Sequence, residues 1–305
     1  MRIVRPVPIV ESNLDEINVP IDDAPLWVAD TVYQTGDQVI WDLVVYEYLS
    51  TGNAGPNPPD TPTATAPKWF AVAPVNAWRA FNKRIGNRWL PDLYVSNPDV
   101  IDFTVSPGGI VNSVGLTGVY AQEVQIIMTA PGGEEVYNET YTLAGREPVT
   151  NWYEHWFNNF TRRSSVTDFN LPAYGNATIR IIARSEGETV RIGTFVVGAM
   201  RKIGDTLIGS GFDFRSRSTF TEDPVFGTVE IVSRGSGRTN DFRVSVDRGN
   251  TDAAVNLLEE IRDIPTLFVG DSSLDSLAIF GWMKESPGVF DNIAKTLLNI
   301  KVWRL

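Results

Sequence analysis

A chain of 305 residues with 43% hydrophobic content can bury a substantial core and has the length of two or three domains. Its formal charge of −11 argues against a nucleic-acid-binding surface, which needs a basic patch to neutralise phosphates, and the absence of cysteine excludes disulfide staples, thiolate metal sites and cysteine nucleophiles. No window approaches the roughly 18 to 20 apolar residues of a membrane span, and Met1-Arg2-Ile3-Val4-Arg5-Pro6 lacks the apolar core and cleavage site of a signal peptide, so neither membrane insertion nor the usual export route is expected.

Residues 1–24 combine Pro6, Pro8 and Pro20 with Glu11, Asp15, Glu16, Asp22 and Asp23, a composition that opposes a regular helix and predicts an extended N-terminal arm suited to docking on a neighbour. Residues 25–73 read as a small aromatic β-module. Asp30 to Gln34 and Gln38 to Glu47 are β-branched and aromatic runs on either side of Gly36-Asp37, a pair able to take the positive φ of a tight hairpin. The Pro/Gly/Thr-rich segment 51–67 reads as an exposed loop at its tip.

Residues 74–98 form a connector, and from 99 to 305 the period changes to short strands between Gly-rich turns. Strands are expected at 101–105, 122–129, 135–142, 178–185, 189–197, 227–233, 242–247, 266–269 and 277–280, with Glu186-Gly187-Glu188 among the turns. That spacing predicts an antiparallel β-sandwich body. Two short helices interrupt it, one at about 150–159 and one at about 252–262, where Ala254, Leu257, Leu258 and Ile261 recur at helical spacing. The fold class is therefore mainly β, an aromatic module followed by a larger sandwich.

Catalytic and metal motifs are weak. The single histidine, His155, lies among Trp152, Tyr153, Trp156 and Phe157 without the partners a triad or zinc site needs, and reads as a packed or capping residue. Gly204 to Gly211 lacks the Lys-Ser/Thr of a phosphate loop and reads as a turn. Glu222 with Asp223, or Asp271 with Asp275, supply carboxylate pairs, but in polar loop-like segments rather than in a cleft. Asp271-Ser272-Ser273-Leu274-Asp275 also lacks the Gly and distal Glu of a calcium loop. Arg162-Arg163 and the scattered Arg201, Lys202, Arg215 and Arg217 read as solvated surface or inter-subunit pairing. No catalytic residue, metal or cofactor is expected.

The aromatics of the module carry the chemistry that is left. Trp27, Tyr33, Trp41, Tyr46, Tyr48 and Trp69 are the candidate carbohydrate-contact set, since flat rings stack on the apolar faces of sugars. A module this small also needs bulky aromatics for any core, and Trp27, Tyr33 and Trp69 suit that role. Trp41 and Tyr48 are the expected ligand-facing pair, and alternation sets Tyr46 and Tyr48 on one face.

The layout Trp27, Tyr33, Gly36-Asp37, Tyr46, Pro58-Pro59, Lys68-Trp69-Phe70 resembles the small chitin- and cellulose-binding modules appended to bacterial chitinases. Asn76-Ala77-Trp78-Arg79-Ala80-Phe81-Asn82 resembles a junction in tail proteins of tailed bacteriophages. So do Asn151-Trp152-Tyr153-Glu154, Thr194-Phe195-Val196-Val197-Gly198, Asp213-Phe214-Arg215, Phe226-Gly227, Ser233-Arg234 and Ile279-Phe280-Gly281, in that order along nearly the whole chain. The resemblance implies a non-enzymatic structural virion protein of the distal tail or baseplate, made in the host bacterial cytoplasm. It would form a homo-oligomer of three- or six-fold symmetry with other tail proteins as partners and host-surface polysaccharide as a further one. The rivals are a secreted polysaccharide-degrading enzyme with an appended binding module and a free lectin.

Overall fold

Along Glu123–Thr129 every second side chain is buried, Val124, Ile126 and Met128 pointing to one side, which is the period of a strand covered on one face. The computed structural model describes residues 1–50, 52–53, 68–85, 88–90, 93–143, 152, 162–216, 218–222, 227–232, 236–291 and 293–304. These residues form a mainly β protein of antiparallel sheets.

Two sheets make a sandwich. The larger has the strand order 135–142, 123–129, 178–192, 95–105 and 14–17; the smaller orders Ser165–Asp168, Ser113–Thr117 and Thr194–Gly198. Phe103, Val124, Ile126, Met128 and Ile181 of the first share a core with Val114, Leu116, Phe195 and Val197 of the second. A third, nine-stranded sheet lies against the outer face of the small one, where Val196 packs with Val4, Leu267 and Val269. Its other face is covered by the helix Thr251–Glu260, whose Ala254 and Leu258, with Ile261 just beyond, meet Phe242, Val244, Leu298 and Ile300. The helix expected at 252–262 is thus present on its apolar stripe. The one expected at about 150–159, with His155, lies outside the described residues, as does most of the 51–67 loop.

The segment expected as a docking arm is extended, but it docks on its own body. Arg2–Val4 is an interior strand of the nine-stranded sheet, between Met200–Lys202 and Thr266–Val269. Val7 N–H then donates to Val197 O at 2.8 Å, and Leu14–Ile17 adds an edge to the five-stranded sheet. Prolines that bar a helix are compatible with this path because Pro6 and Pro8 sit between the two strands and Pro20 follows the second. Gly198 permits the crossing: a Cβ there would stand 2.2 Å from Arg5 O.

Glu186-Gly187-Glu188 is not a chain-reversing turn. Thr178–Ile192 is one strand, and its pairing with Val95–Val105 jumps from Arg184↔Val100 to Thr189↔Pro98, leaving residues 185–188 opposite Asp99 as a wide bulge. Gly187 takes φ 71° and its N–H donates to the Asp99 carboxylate at 2.8 Å.

In the module, the three strands Gln38–Trp41, Val44–Tyr48 and Trp69–Pro74 pair in that order. The tight hairpin turns at Asp42-Leu43, with φ of 47° and 61°, rather than at Gly36-Asp37, which links Val32–Tyr33 to Gln38–Trp41. A left-handed leucine is uncommon. Here its carbonyl accepts the Val75 N–H at 2.9 Å and its side chain packs on the body's core, which offsets the strain. Ile40 and Val45 reach the same core, so one face of the module sheet is buried against the connector.

The Asn76-x-Trp78-x-x-Phe81 segment fastens that connection. Asn76 exchanges two hydrogen bonds with the backbone of Ser96, at 2.8 and 2.9 Å, while Asp23 accepts from Asn76 N–H and pairs with Arg79 at 2.7 Å. Trp78, Phe81, Phe103 and Phe195 follow in edge-to-face contacts of 5.1 to 5.8 Å between ring centroids.

Across the sandwich, the buried Asp168 accepts from the Tyr137 hydroxyl, which lies 3.2 Å from that of Tyr141. Burial, then the bond to Asp168, pushes the Tyr137 phenol far above its ordinary value; burial pushes Tyr141 up to about 12.

Two tests follow from this packing. Gly198→Ala should destabilise the protein by about 1–3 kcal/mol in urea denaturation, because a backbone carbonyl must move; Gly132→Ala, with open space around it, should stay within about 0.5 kcal/mol. The tyrosine pair makes the native state bind more protons than the unfolded one above pH ~10, so its contribution is whole below that pH and declines as pH rises toward 12. Denaturation at stepped pH should show this decline, and Tyr137→Phe with Tyr141→Phe should flatten it.

Candidate carbohydrate-contact site

The module's six aromatics divide into two groups. Tyr48 is 0% exposed and Tyr33 and Trp69 are each 8% exposed; with Val39 they form a small core of their own. Tyr48 lies 4.6 Å from Trp69, and Tyr33 lies 5.2 Å from Trp69 and 5.8 Å from Tyr48. The Tyr33 hydroxyl is held by the backbone of Val28, accepting from its N–H at 3.0 Å. Tyr48, expected to face a ligand, is therefore core. The alternation that joins Tyr46 to Tyr48 is correct, but the face it defines is covered at Tyr48 because Tyr33 and Trp69 close over it.

Trp27, Trp41 and Tyr46 stay half-exposed at the rim of this core. Backbone bonds between Trp27 and Ile40 and between Ile40 and Pro25 tie the 25–27 segment alongside Gln38–Trp41, which brings the two indoles to 5.2 Å at an interplanar angle of 77°. Leu26, 73% exposed, and the exposed Val28 flank Trp27 and extend the apolar surface. Sequence reasoning missed both, although their alternation with Trp27 was the signal available. Perpendicular rings cannot offer one flat platform, so this rim suits contact with a single sugar ring, or with an apolar protein surface, better than stacking along a polysaccharide chain.

The polar candidates are engaged in holding the fold. Asp271 accepts from the N–H and hydroxyl of Ser273, each at 2.8 Å, which holds its carboxyl below the usual range. Asp275 accepts from Ser164 N–H and from the Ser165 hydroxyl at 2.9 Å, and Arg163 lies 3.5 Å away, so it latches the sandwich to the nine-stranded sheet. Arg162 grips Glu188 with both terminal nitrogens, and Arg201 and Lys202 pair with Glu260 and Asp205. Glu222 lies exposed on the strand Thr219–Glu222; Asp223 and Arg217 are outside the described residues. Among the described residues no group of three or more His, Asp or Glu side chains could hold a metal, and no helix is long and apolar enough to cross a membrane.

Comparison with protein-family models, with curated proteins and with solved structures gave no match. The functional reading therefore rests on this chain's own residues.

Removing a core ring should cost far more than removing a rim ring. Tyr48→Ala and Trp69→Ala should each destabilise the protein by about 3–5 kcal/mol, and Trp41→Ala by less than about 1.5 kcal/mol, measured by urea titration followed through tryptophan fluorescence.

Proposed function

We propose that the protein is a structural component of the distal tail or baseplate of a tailed bacteriophage, assembling with copies of itself and with other tail proteins in a three- or six-fold arrangement. The observation that carries this reading is exposed apolar side chains on a strand of the nine-stranded sheet and on the two-stranded ribbon that follows it. Gly211–Ser216 pairs with Ser236–Asp241, and the ribbon Thr219–Glu222 with Val229–Val232 follows it in sequence. Phe212 and Phe214, on one face of the first ribbon, are 51% and 63% exposed with their rings 5.5 Å apart, and Ile231 and Val232 are exposed on the second.

Apolar side chains so displayed gain about 25 cal/mol for each Å² that another surface covers. Such exposed apolar side chains grouped together suit an interaction site. The order of motifs that resembles phage tail proteins supports the same reading. A second role, contact with host-surface glycan, is supported by the half-exposed Trp27, Trp41 and Tyr46 rim.

Cryo-electron averages of virions should place the protein in the tail as a ring or cluster, and its absence from the particle would overturn the proposal. Phe212→Ser with Phe214→Ser should give a folded protein that no longer incorporates. For the glycan role, Trp41→Ala should abolish binding of the full chain on a polysaccharide array while its melting midpoint holds; no binding by the unaltered chain would leave the module a structural spacer.

A further inference from the structure

We propose that the protein free in solution forms a two-fold dimer, in which Gly211–Ser216 of one copy pairs antiparallel with Gly211–Ser216 of a second, centred on Phe214. The strand is an open edge. It pairs with Ser236–Asp247 on one side and, among the described residues, with no strand on the other. Five of its six residues are exposed, and it contains neither the proline nor the lysine that commonly blunts an edge. Every second N–H and C=O along such an edge points away from its partner and is a ready template for another strand.

The order of side chains selects what that strand is. Alternation sends Phe212, Phe214 and Ser216 to one face and Asp213 and Arg215 to the other. When the segment meets itself antiparallel about Phe214, the two Phe214 rings lie opposite each other, Phe212 lies opposite Ser216, and Asp213 lies opposite Arg215 on both sides of the axis. Two opposite-charge pairs and an aromatic pair form at once, and each Phe212 is diagonal to Phe214 of the other copy. The neighbouring registers fail. Centring the axis on Asp213 or on Arg215 sets two like charges face to face, and centring it between residues 213 and 214 lays the phenylalanine face of one copy beside the charged face of the other.

The groups that would meet are not engaged within the chain. Phe212 and Phe214 are 51% and 63% exposed. Asp213 stands opposite Thr239 and Arg215 opposite Gly237, and among the described residues neither has an ion-pair partner. One charge of each sign on this strand lets two copies meet without local repulsion, although the whole chain carries −11. A two-fold contact closes after two copies, so it belongs to the unassembled protein rather than to a three- or six-fold ring, and it stands or falls apart from the tail reading.

Sedimentation equilibrium of the full-length protein between roughly 10 µM and 1 mM should show a reversible rise from 33.8 kDa toward twice that mass. Asp213→Arg or Arg215→Asp alone turns both opposite-charge pairs into like-charge pairs and should weaken the dimer by about tenfold or more. The double exchange restores both pairs and should return the affinity to within about threefold of the unaltered chain. Because the chain has no cysteine, Phe214→Cys should oxidise to a disulfide-linked dimer, whereas Phe212→Cys should do so only when combined with Ser216→Cys. All four positions are exposed, so the melting midpoint should hold in every variant. A monomer at all concentrations, a double exchange no better than the single ones, or Phe212→Cys linking as readily as Phe214→Cys would each rule the pairing out.

Discussion

A three-stranded sheet without a solvent face holds this molecule together. All five residues of Thr194–Gly198 and four of the five of Ser113–Thr117 are buried, because the five-stranded sheet covers one side and the nine-stranded sheet the other. With both faces covered, most of its amides and carbonyls must be met within the ladder or by a neighbouring segment. The close approach of the layers also constrains side-chain size. A Cβ on Gly115 would stand 2.2 Å from the nearest methyl of Leu267, so the outer sheet sits where it does only because the inner one is locally bare.

Polar ties at the edges fix how the layers stack around that sheet. The N-terminal segment gives a strand to each outer sheet and bonds to Val197 between them. Asp275 reaches from the nine-stranded side to Ser164 and Ser165, and Asp168 joins the small sheet to Tyr137. The module is secured in the same manner by Asn76, Asp23 and Arg79, with Ile40 and Val45 supplying the apolar contact. The Trp78 and Phe81 motif that resembles a phage-tail junction has, in this chain, the physical task of packing the aromatic module's sheet into the core of the sandwich.

Much of the body is legible in sequence where a strand is covered on one face and bounded by turns. Glu135–Thr142 and Thr266–Val269 fall where alternation or a short apolar run between turn residues sets them, and the helix appears on its apolar stripe. Strands such as Ser113–Thr117 and Lys295–Arg304 were not expected at all, and three further features escaped for physical reasons. A three-residue strand such as Arg2–Val4 is too short to show a period, and its partners are remote in sequence. Gly187 has the left-handed conformation of a turn but spends it on a bulge. Tyr48 sits in a sheet covered on both faces, by the body and by its own aromatic core, so alternation alone could not say which rings remain wet.

The interior place of Arg2–Val4 has a consequence for timing during synthesis. It precedes its two neighbours, Met200–Lys202 and Thr266–Val269, by most of the length of the chain. Contacts this remote form late, because long loops must close first. On the ribosome the nine-stranded sheet stays open at this seam until the Thr266–Val269 stretch has emerged, and Lys295–Arg304, which pairs with the strand that also holds Gly211–Ser216, comes later still. A nascent chain thus cannot present Phe212 and Phe214 on a finished sheet, and the order of translation itself postpones the display of that apolar surface until these late strands have paired.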